Sequence, residues 1–229
     1  GQECPSDVSA LPALRAARRR GGLVRPLRGS NEVDPGILMN MVRWILLLSL
    51  PLYVIDQITK WWIVINFERH EVRPQIEGFF NLVRVHNQGV AFGFGNGTMW
   101  APITFFCVSS LALVGLVWYW RRGGFAGRLM QTASALLVAG ICGNLTDRAV
   151  QGFFLKEYED AGFLTRFTQG YVVDFLDFTI PLVNYRWPSF NVADSCICVA
   201  AFLLIVSTFR AEPGDGSEDA TEAPREDDA

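Results

Sequence analysis

Apolar residues in this chain are gathered into four long runs, at about 44–65, 98–120, 129–150 and 190–209. They do not recur every third or fourth position, as on a helix with one wet face. At about 1.5 Å of rise per residue each run can cross about 30 Å of hydrocarbon, so four membrane-spanning helices are predicted. None is apolar throughout. The first carries Pro51, Asp56 and Lys60, the third ends in Asn144, Asp147 and Arg148, and the fourth opens on Phe190-Asn191-Val192-Ala193-Asp194-Ser195. An ionisable group inside a span is costly unless it faces protein or water, so each of these is first of all a candidate for function.

Between the runs lie two long connections. Residues Gly78 to His86 are rich in aromatic and β-branched side chains and lead into Asn87-Gln88-Gly89, which predicts a strand followed by a turn. A second apolar patch, Tyr171 to Phe178, is too short to cross; its aromatic rings suit an element lying at the membrane–water interface. Arg43 and the upstream arginines precede the first run, and Arg121, Arg122 and Arg128 fill the short link between the second and third. By the positive-inside rule both flanks are cytoplasmic, which puts both termini inside and both long connections outside. Asn144, Asp147, Arg148, Asn191 and Asp194 are then all expected at the outer surface. Separate helices deliver polar groups to one level.

Half of the residues are hydrophobic, and the net charge of −3 conceals a strong segregation. Residues 1–38 are rich in Arg, Gly and Pro and read as a disordered extension, with Met39 or Met41 the preferred true start and a basic surface arm the alternative. The run that follows is too long and too polar near its end for a cleaved signal peptide, so a retained helix is expected. Residues 211–229 hold eight Asp or Glu against the single Arg225 and read as a solvated acidic tail. The membrane domain is accordingly assigned to 39–210. Cys4, Cys107, Cys142, Cys196 and Cys198 show no metal spacing, and His70 and His86 join no cluster, so no metal site and no cofactor are expected. No phosphate loop, no Ser/His/Asp order and no basic nucleic-acid patch is present.

The remaining chemistry is that of acids. Asp174, in Val173-Asp174-Phe175, and Asp194 both have apolar neighbours. Two carboxylates brought together in a low-dielectric site do not both ionise, so one keeps its proton while the other is a base. Such a pair can hydrolyse an amide without a covalent nucleophile, because the base takes a proton from water while the acid protonates the carbonyl oxygen. The alternative is that Asp174 merely caps or solvates an interfacial segment. Asn144, Asp147 and Arg148 share one helix face at i, i+3 and i+4, with Asp147 and Arg148 read as an ion pair. Asp56 and Lys60, at i and i+4 in the favourable acid-first order, read as a salt bridge. Asn87, in Asn87-Gln88-Gly89-Val90-Ala91-Phe92-Gly93, could donate a hydrogen bond to an extended peptide that the small residues there allow to approach.

Taken together, Asp56-Gln57-Ile58-Thr59-Lys60, the Asn87–Gly93 stretch, Gly143-Asn144-Leu145-Thr146-Asp147-Arg148, Val172-Val173-Asp174-Phe175 and Phe190-Asn191-Val192-Ala193-Asp194-Ser195 resemble the blocks of the lipoprotein signal peptidases, signal peptidase II. The resemblance covers about Met41 to Arg210. It implies a four-span aspartic endopeptidase of the bacterial inner membrane that removes the signal peptide of prolipoproteins just before a diacylglyceryl-modified cysteine. It also implies a catalytic dyad of Asp174 and Asp194, with Asn87, Asn144, Asp147, Arg148, Asn191, Asp56 and Lys60 around it. The fold implied is an all-α polytopic membrane protein with four transmembrane helices, a small extracytoplasmic β-subdomain and an interfacial helix. The partners implied are diacylglyceryl-modified prolipoproteins and membrane lipid; no nucleic-acid partner is expected, and the chain is expected to be monomeric.

One departure stands out. Twenty-five residues separate Arg148 from Asp174, and Phe153 to Gln169 reads as an insertion of mixed charge (Lys156, Glu157, Glu159, Asp160, Arg166) that could reshape a lid over the site. A different class of function, a transporter or scaffold using intramembrane acids as a proton relay, would need ionisable groups through the whole depth of the membrane. Here all but Asp56 and Lys60 cluster at one end, which favours the peptidase. An inactive relative kept for interaction is disfavoured by the intact acids.

Overall fold

The computed structural model describes residues 34–89 and 100–210. The extension assigned to 1–38 falls outside it except for its last few residues, and the tail at 211–229 and residues 90–93 of the small-residue stretch fall outside it altogether. Among the described residues, four helices are long and apolar enough to cross a membrane: α1 (Pro35–Asn66), α2 (Ala101–Arg121), α3 (Gly127–Val150, continued by a 3₁₀ turn Gln151–Phe154) and α5 (Val192–Arg210). A short helix, α4 (Phe163–Thr168), lies in the second long connection. The first helix begins well before the apolar window, capped by Asp34, whose carboxylate accepts from the Gly36 N–H at 2.8 Å. Pro51 lacks the N–H that a regular helix would use. The chain turns through a π-helical segment, Ile45–Ser49, just before it.

α3 is the central helix. Half of its apolar window is buried, against 11–17% for the other three, and its most extensive packing is with α5. That contact is made by small residues: Ala133, Ala139, Cys196 and Ala200 are buried together with Leu136. Small side chains let two helix backbones approach closely where lipid supplies no hydrophobic drive for association. The outward faces of α1, α2 and α5 expose Leu47, Val54, Ile58, Leu111, Val114, Phe202 and Ile205, as lipid-facing surfaces do.

The sheet has the order β1-β2-β3-β4, all antiparallel, with β1 Val72–Ile76, β2 Phe80–Asn87, β3 Val172–Ile180 and β4 Tyr185–Arg186. The strand and turn expected over 78–89 are present as β2 and an Asx turn in which Asn87 Oδ1 accepts from the Gly89 N–H at 3.0 Å. The patch at 171–178 differs from expectation. It is no half-wet interfacial element but the central strand β3, buried over Val172–Phe175. Its Val173 and Phe175 pack with Ile63 of α1 and Phe67, the residue just after it, so the aromatics that suggested an interface instead seal the sheet onto the helix bundle. Arg84 completes the joint, donating Nη1 to the carbonyls of Val64 and Phe67 at the C-terminal end of α1, at 2.9 and 2.7 Å.

Candidate active site

α5 begins with a reciprocal cap. Asn191 Oδ1 accepts from the Asp194 N–H at 2.9 Å, and Asp194 Oδ2 accepts from the Asn191 N–H at 3.2 Å. This is a capping box in which Asp takes the place more often held by Glu. It fixes the Asp194 carboxylate over the first turn of the helix and leaves Oδ1 to accept from Asn144 Nδ2 of α3 at 2.7 Å. Asp194 is half-buried.

The second acid arrives on β3. A register shift between Leu82 and Val85 puts an extra residue into β2 and sets Val85 opposite Asp174 and Asn87 opposite Val172. Asn87 and Asp174 therefore share one face of the sheet, and Asn87 Nδ2 donates to Asp174 Oδ2 at 3.0 Å. Asp174 Oδ1 accepts from Asn191 Nδ2 at 2.8 Å. Asn191, fully buried, thus holds Asp174 with its amide and Asp194 with its backbone and side-chain oxygen, so the two acids are joined through one residue. Burial foremost, and the neighbouring Asp194 charge next, push the Asp174 carboxyl up to about 7 against the hydrogen bonds from Asn87 and Asn191.

Beneath the acids lies a layer of buried charge. Lys60 Nζ sits 2.8 Å from Asp56 and 3.1 Å from Asp147, and donates to Asn144 Oδ1 at 3.0 Å; all three charged residues are 1% exposed or less. The two carboxylates are used again. Asp56 Oδ1 accepts the Ala193 N–H at the start of α5 (2.8 Å), and Asp147 Oδ2 accepts the Val173 N–H (3.0 Å), one residue before Asp174. One cation with two carboxylates therefore pins the backbone beside each of the paired acids.

The sequence-predicted site residues converge, with one pairing corrected. Asp147 is ion-paired with Lys60, not with Arg148. Arg148, buried at 7% exposure, donates Nη2 to the Gly89 carbonyl (3.0 Å) and Nη1 to that of Asn144 (3.5 Å), while its Nε has no hydrogen-bond partner among the described residues. The reason is directional: adjacent helix positions point about 100° apart, so Asp147 turns to α1 and Arg148 to the Asn87–Gly89 turn. Gln57 escaped notice in the sequence. Its amide donates to Asp56 (3.1 Å), the Gly143 carbonyl (3.2 Å) and Asp147 (3.3 Å), but its position next to Asp56 carried no periodic signal. Asp177 is a further buried acid, held by Arg186 at 2.7 Å and Asn81 at 2.8 Å, and it ties the sheet rather than the site.

Known proteins resemble this chain in sequence and in fold. Residues 48–210 match the family described as signal peptidase (SPase) II. The chain is 37% identical over 168 residues to a lipoprotein signal peptidase of Syntrophotalea carbinolica, covering 73% of this chain and 92% of that one. It is 33% identical over 160 residues to one of Bacillus subtilis, covering 70% and 89%. Among solved structures it resembles a bacterial membrane enzyme determined by the in meso method at 2.3 Å resolution, with a TM-score of 0.57 and 25% identity over 81% of this chain and 94% of that one.

Proposed function

The chain belongs to the signal peptidase II family, and from that premise we propose that Asp174 and Asp194 are a catalytic dyad sharing one proton. The membership itself makes the protein a multi-pass peptidase of the bacterial inner membrane whose substrates are prolipoproteins. In the reaction we propose, the ionised acid takes a proton from water as its oxygen attacks the scissile carbonyl, and the protonated acid gives its proton to the carbonyl oxygen. Collapse of the tetrahedral intermediate breaks the C–N bond, and the amine leaves with a proton returned by the dyad. The two acids titrate as a unit, so either can begin as base. The scissile amide is the one just before the diacylglyceryl-modified cysteine. Neither a metal nor a cofactor takes part.

The single observation that carries this reading is the junction at Asn191, which holds a carboxylate from β3 and one from α5 in one hydrogen-bond network. Asn144 and Asn191 orient the dyad, Asn87 faces the substrate as well as Asp174, and Asp56, Lys60 and Asp147 hold the layer beneath. Arg148 fixes the Asn87–Gly89 turn against which an extended peptide lies. The dyad opens to the extracytoplasmic side, both termini are cytoplasmic, and the protein acts as a monomer with residues 1–38 and 211–229 as appendages. We assign the interfacial helix to α4, whose Phe163 and Leu164 are 72% and 70% exposed. The surrounding insertion is anchored: Arg166 donates to the Phe153 carbonyl and lies 5.2 Å from its ring, and Phe167 packs on Phe106 of α2.

The test is cleavage, followed by gel shift, of a diacylglyceryl-modified prolipoprotein and its unlipidated twin by the purified protein with EDTA throughout. Cleavage of the lipidated substrate alone, undiminished by the chelator, is expected. Equal cleavage of both substrates, or loss of activity in EDTA, would contradict the reading.

A further inference from the structure

At the end of the bundle away from the acids, a groove of about 470 Å³ lies between α1 and α3, lined by Asn40, Arg43, Trp44, Leu47, Arg128 and Gln131. It is remote from the dyad. Arg43 and Lys60 are separated along α1 by about 25 Å at 1.5 Å per residue. The groove wall is built: Trp44 Nε1 donates to Gln131 Oε1 at 2.9 Å and Gln131 Nε2 to the Phe125 carbonyl at 3.4 Å, which ties the two helices together beneath it. Arg43 and Arg128 have no ion-pair partner among the described residues. The nearest acid along α1, Asp34, is engaged as the helix cap.

Two further features bear on what fills the groove. Arg128 stands in the first turn of α3, where the helix dipole disfavours a cation and no side chain caps the free N–H groups. The π-helical turn Ile45–Ser49 sits in the wall of the groove and carries Leu47, 67% exposed, out onto the lipid-facing surface. An anion bridging the two guanidinium groups would convert the first from a cost to a gain. An acyl chain running from it along Leu47 would cover the second.

We propose that this groove is a binding site for the headgroup of an anionic phospholipid, its phosphodiester held between Arg43 and Arg128 and its upper acyl chain against Leu47 and Trp44. Guanidinium groups match phosphate oxygens in bidentate geometry, and Asn40 and Gln131 supply further polar contacts to a glycerol headgroup. Lipid is favoured over the chain's own acidic residues 211–229, because the groove opens onto apolar surface and those residues have almost nothing apolar to lay there.

The test uses the full chain in non-ionic detergent, with native mass spectrometry of retained lipid and thermal unfolding as readouts. Dioleoyl phosphatidylglycerol, dioleoyl phosphatidylcholine and inorganic phosphate are each added at equal concentration. Retention of one phosphatidylglycerol, preferred over phosphatidylcholine roughly tenfold or more, is expected, with the preference lost in Arg43→Gln/Arg128→Gln and prolipoprotein cleavage in detergent unchanged in that variant. Equal retention of the two lipids, or a preference that survives the double substitution, overturns the proposal. Equal protection by inorganic phosphate would make it a free-anion site and likewise overturn it. Preferential retention appearing only when the tail's acids are changed to amides would assign the groove to the tail.

Discussion

A carboxyl group that must hold a proton near neutral pH has to be kept from water and beside another negative charge, and Asp174 meets both conditions. It is 2% exposed, and Asp194 is its neighbour in the network. Its folded-state value of about 7 lies above the value near 4 of an exposed Asp. The folded state therefore binds more protons between those values. The stability Asp174 contributes is fully present below about pH 4 and is lost as pH rises through about 7. Relative to Asp174→Asn, the wild type is expected to lose about 2–3 kcal/mol of unfolding free energy between pH 5 and pH 8, measured by denaturant titration in detergent. A constant difference across that range would show that Asp174 ionises normally. His86 shows the same burial acting on a base. Burial, then Arg84, holds its imidazole down at about 3, so it stays neutral, accepts from Arg84 Nε at 3.2 Å and stacks on Tyr171 at 3.7 Å.

At the scale of elements, α3 carries the site because it can come close to its neighbours. A Cβ on Gly140 would meet the Ala193 carbonyl at 2.5 Å, and one on Gly143 would meet Asp56 Oδ2 at 2.5 Å and the Ala193 Cβ at 3.0 Å. Both glycines therefore set how near the start of α5 lies to α1 and α3. Gly143→Ala is expected to destabilise the protein by about 1–3 kcal/mol and to lower cleavage more than that loss alone explains, since it displaces the carboxylate that holds Ala193. A stable and fully active Gly143→Ala would break the link between helix approach and catalysis. The apolar runs of the sequence were enough to read four helices, and the i, i+4 spacing of Asp56 and Lys60 was enough to read their pair. The strand character of 171–178 was hidden because a strand buried on both faces loses its alternation. Lys60 as the partner of Asp147 was hidden too, since a contact between helices far apart in sequence leaves no local period.

Among the described residues, the buried ionisable side chains gather at one end of a bundle whose sides are apolar, and the sheet packs over that end. A proton relay would need free ionisable groups along the depth of the bundle. Asp56, Lys60 and Asp147, the ionisable groups of the layer beneath the dyad, are committed to one another and to the backbone of α5 and β3. The order of the motifs along the chain was legible in the sequence, as was their common level; the insertion's anchoring was not, because it depends on backbone contacts. A Cβ on Gly170 would strike the Arg148 carbonyl, and one on Gly152 the Arg166 carbonyl. The measurement that tests the account most directly is the single-turnover cleavage rate of a diacylglyceryl-modified prolipoprotein by the wild type, Asp174→Asn and Asp194→Asn, each checked for folding by its thermal transition. Both variants are expected to remain folded and to lose at least about a thousandfold in rate; near-normal turnover by either folded variant would contradict the dyad.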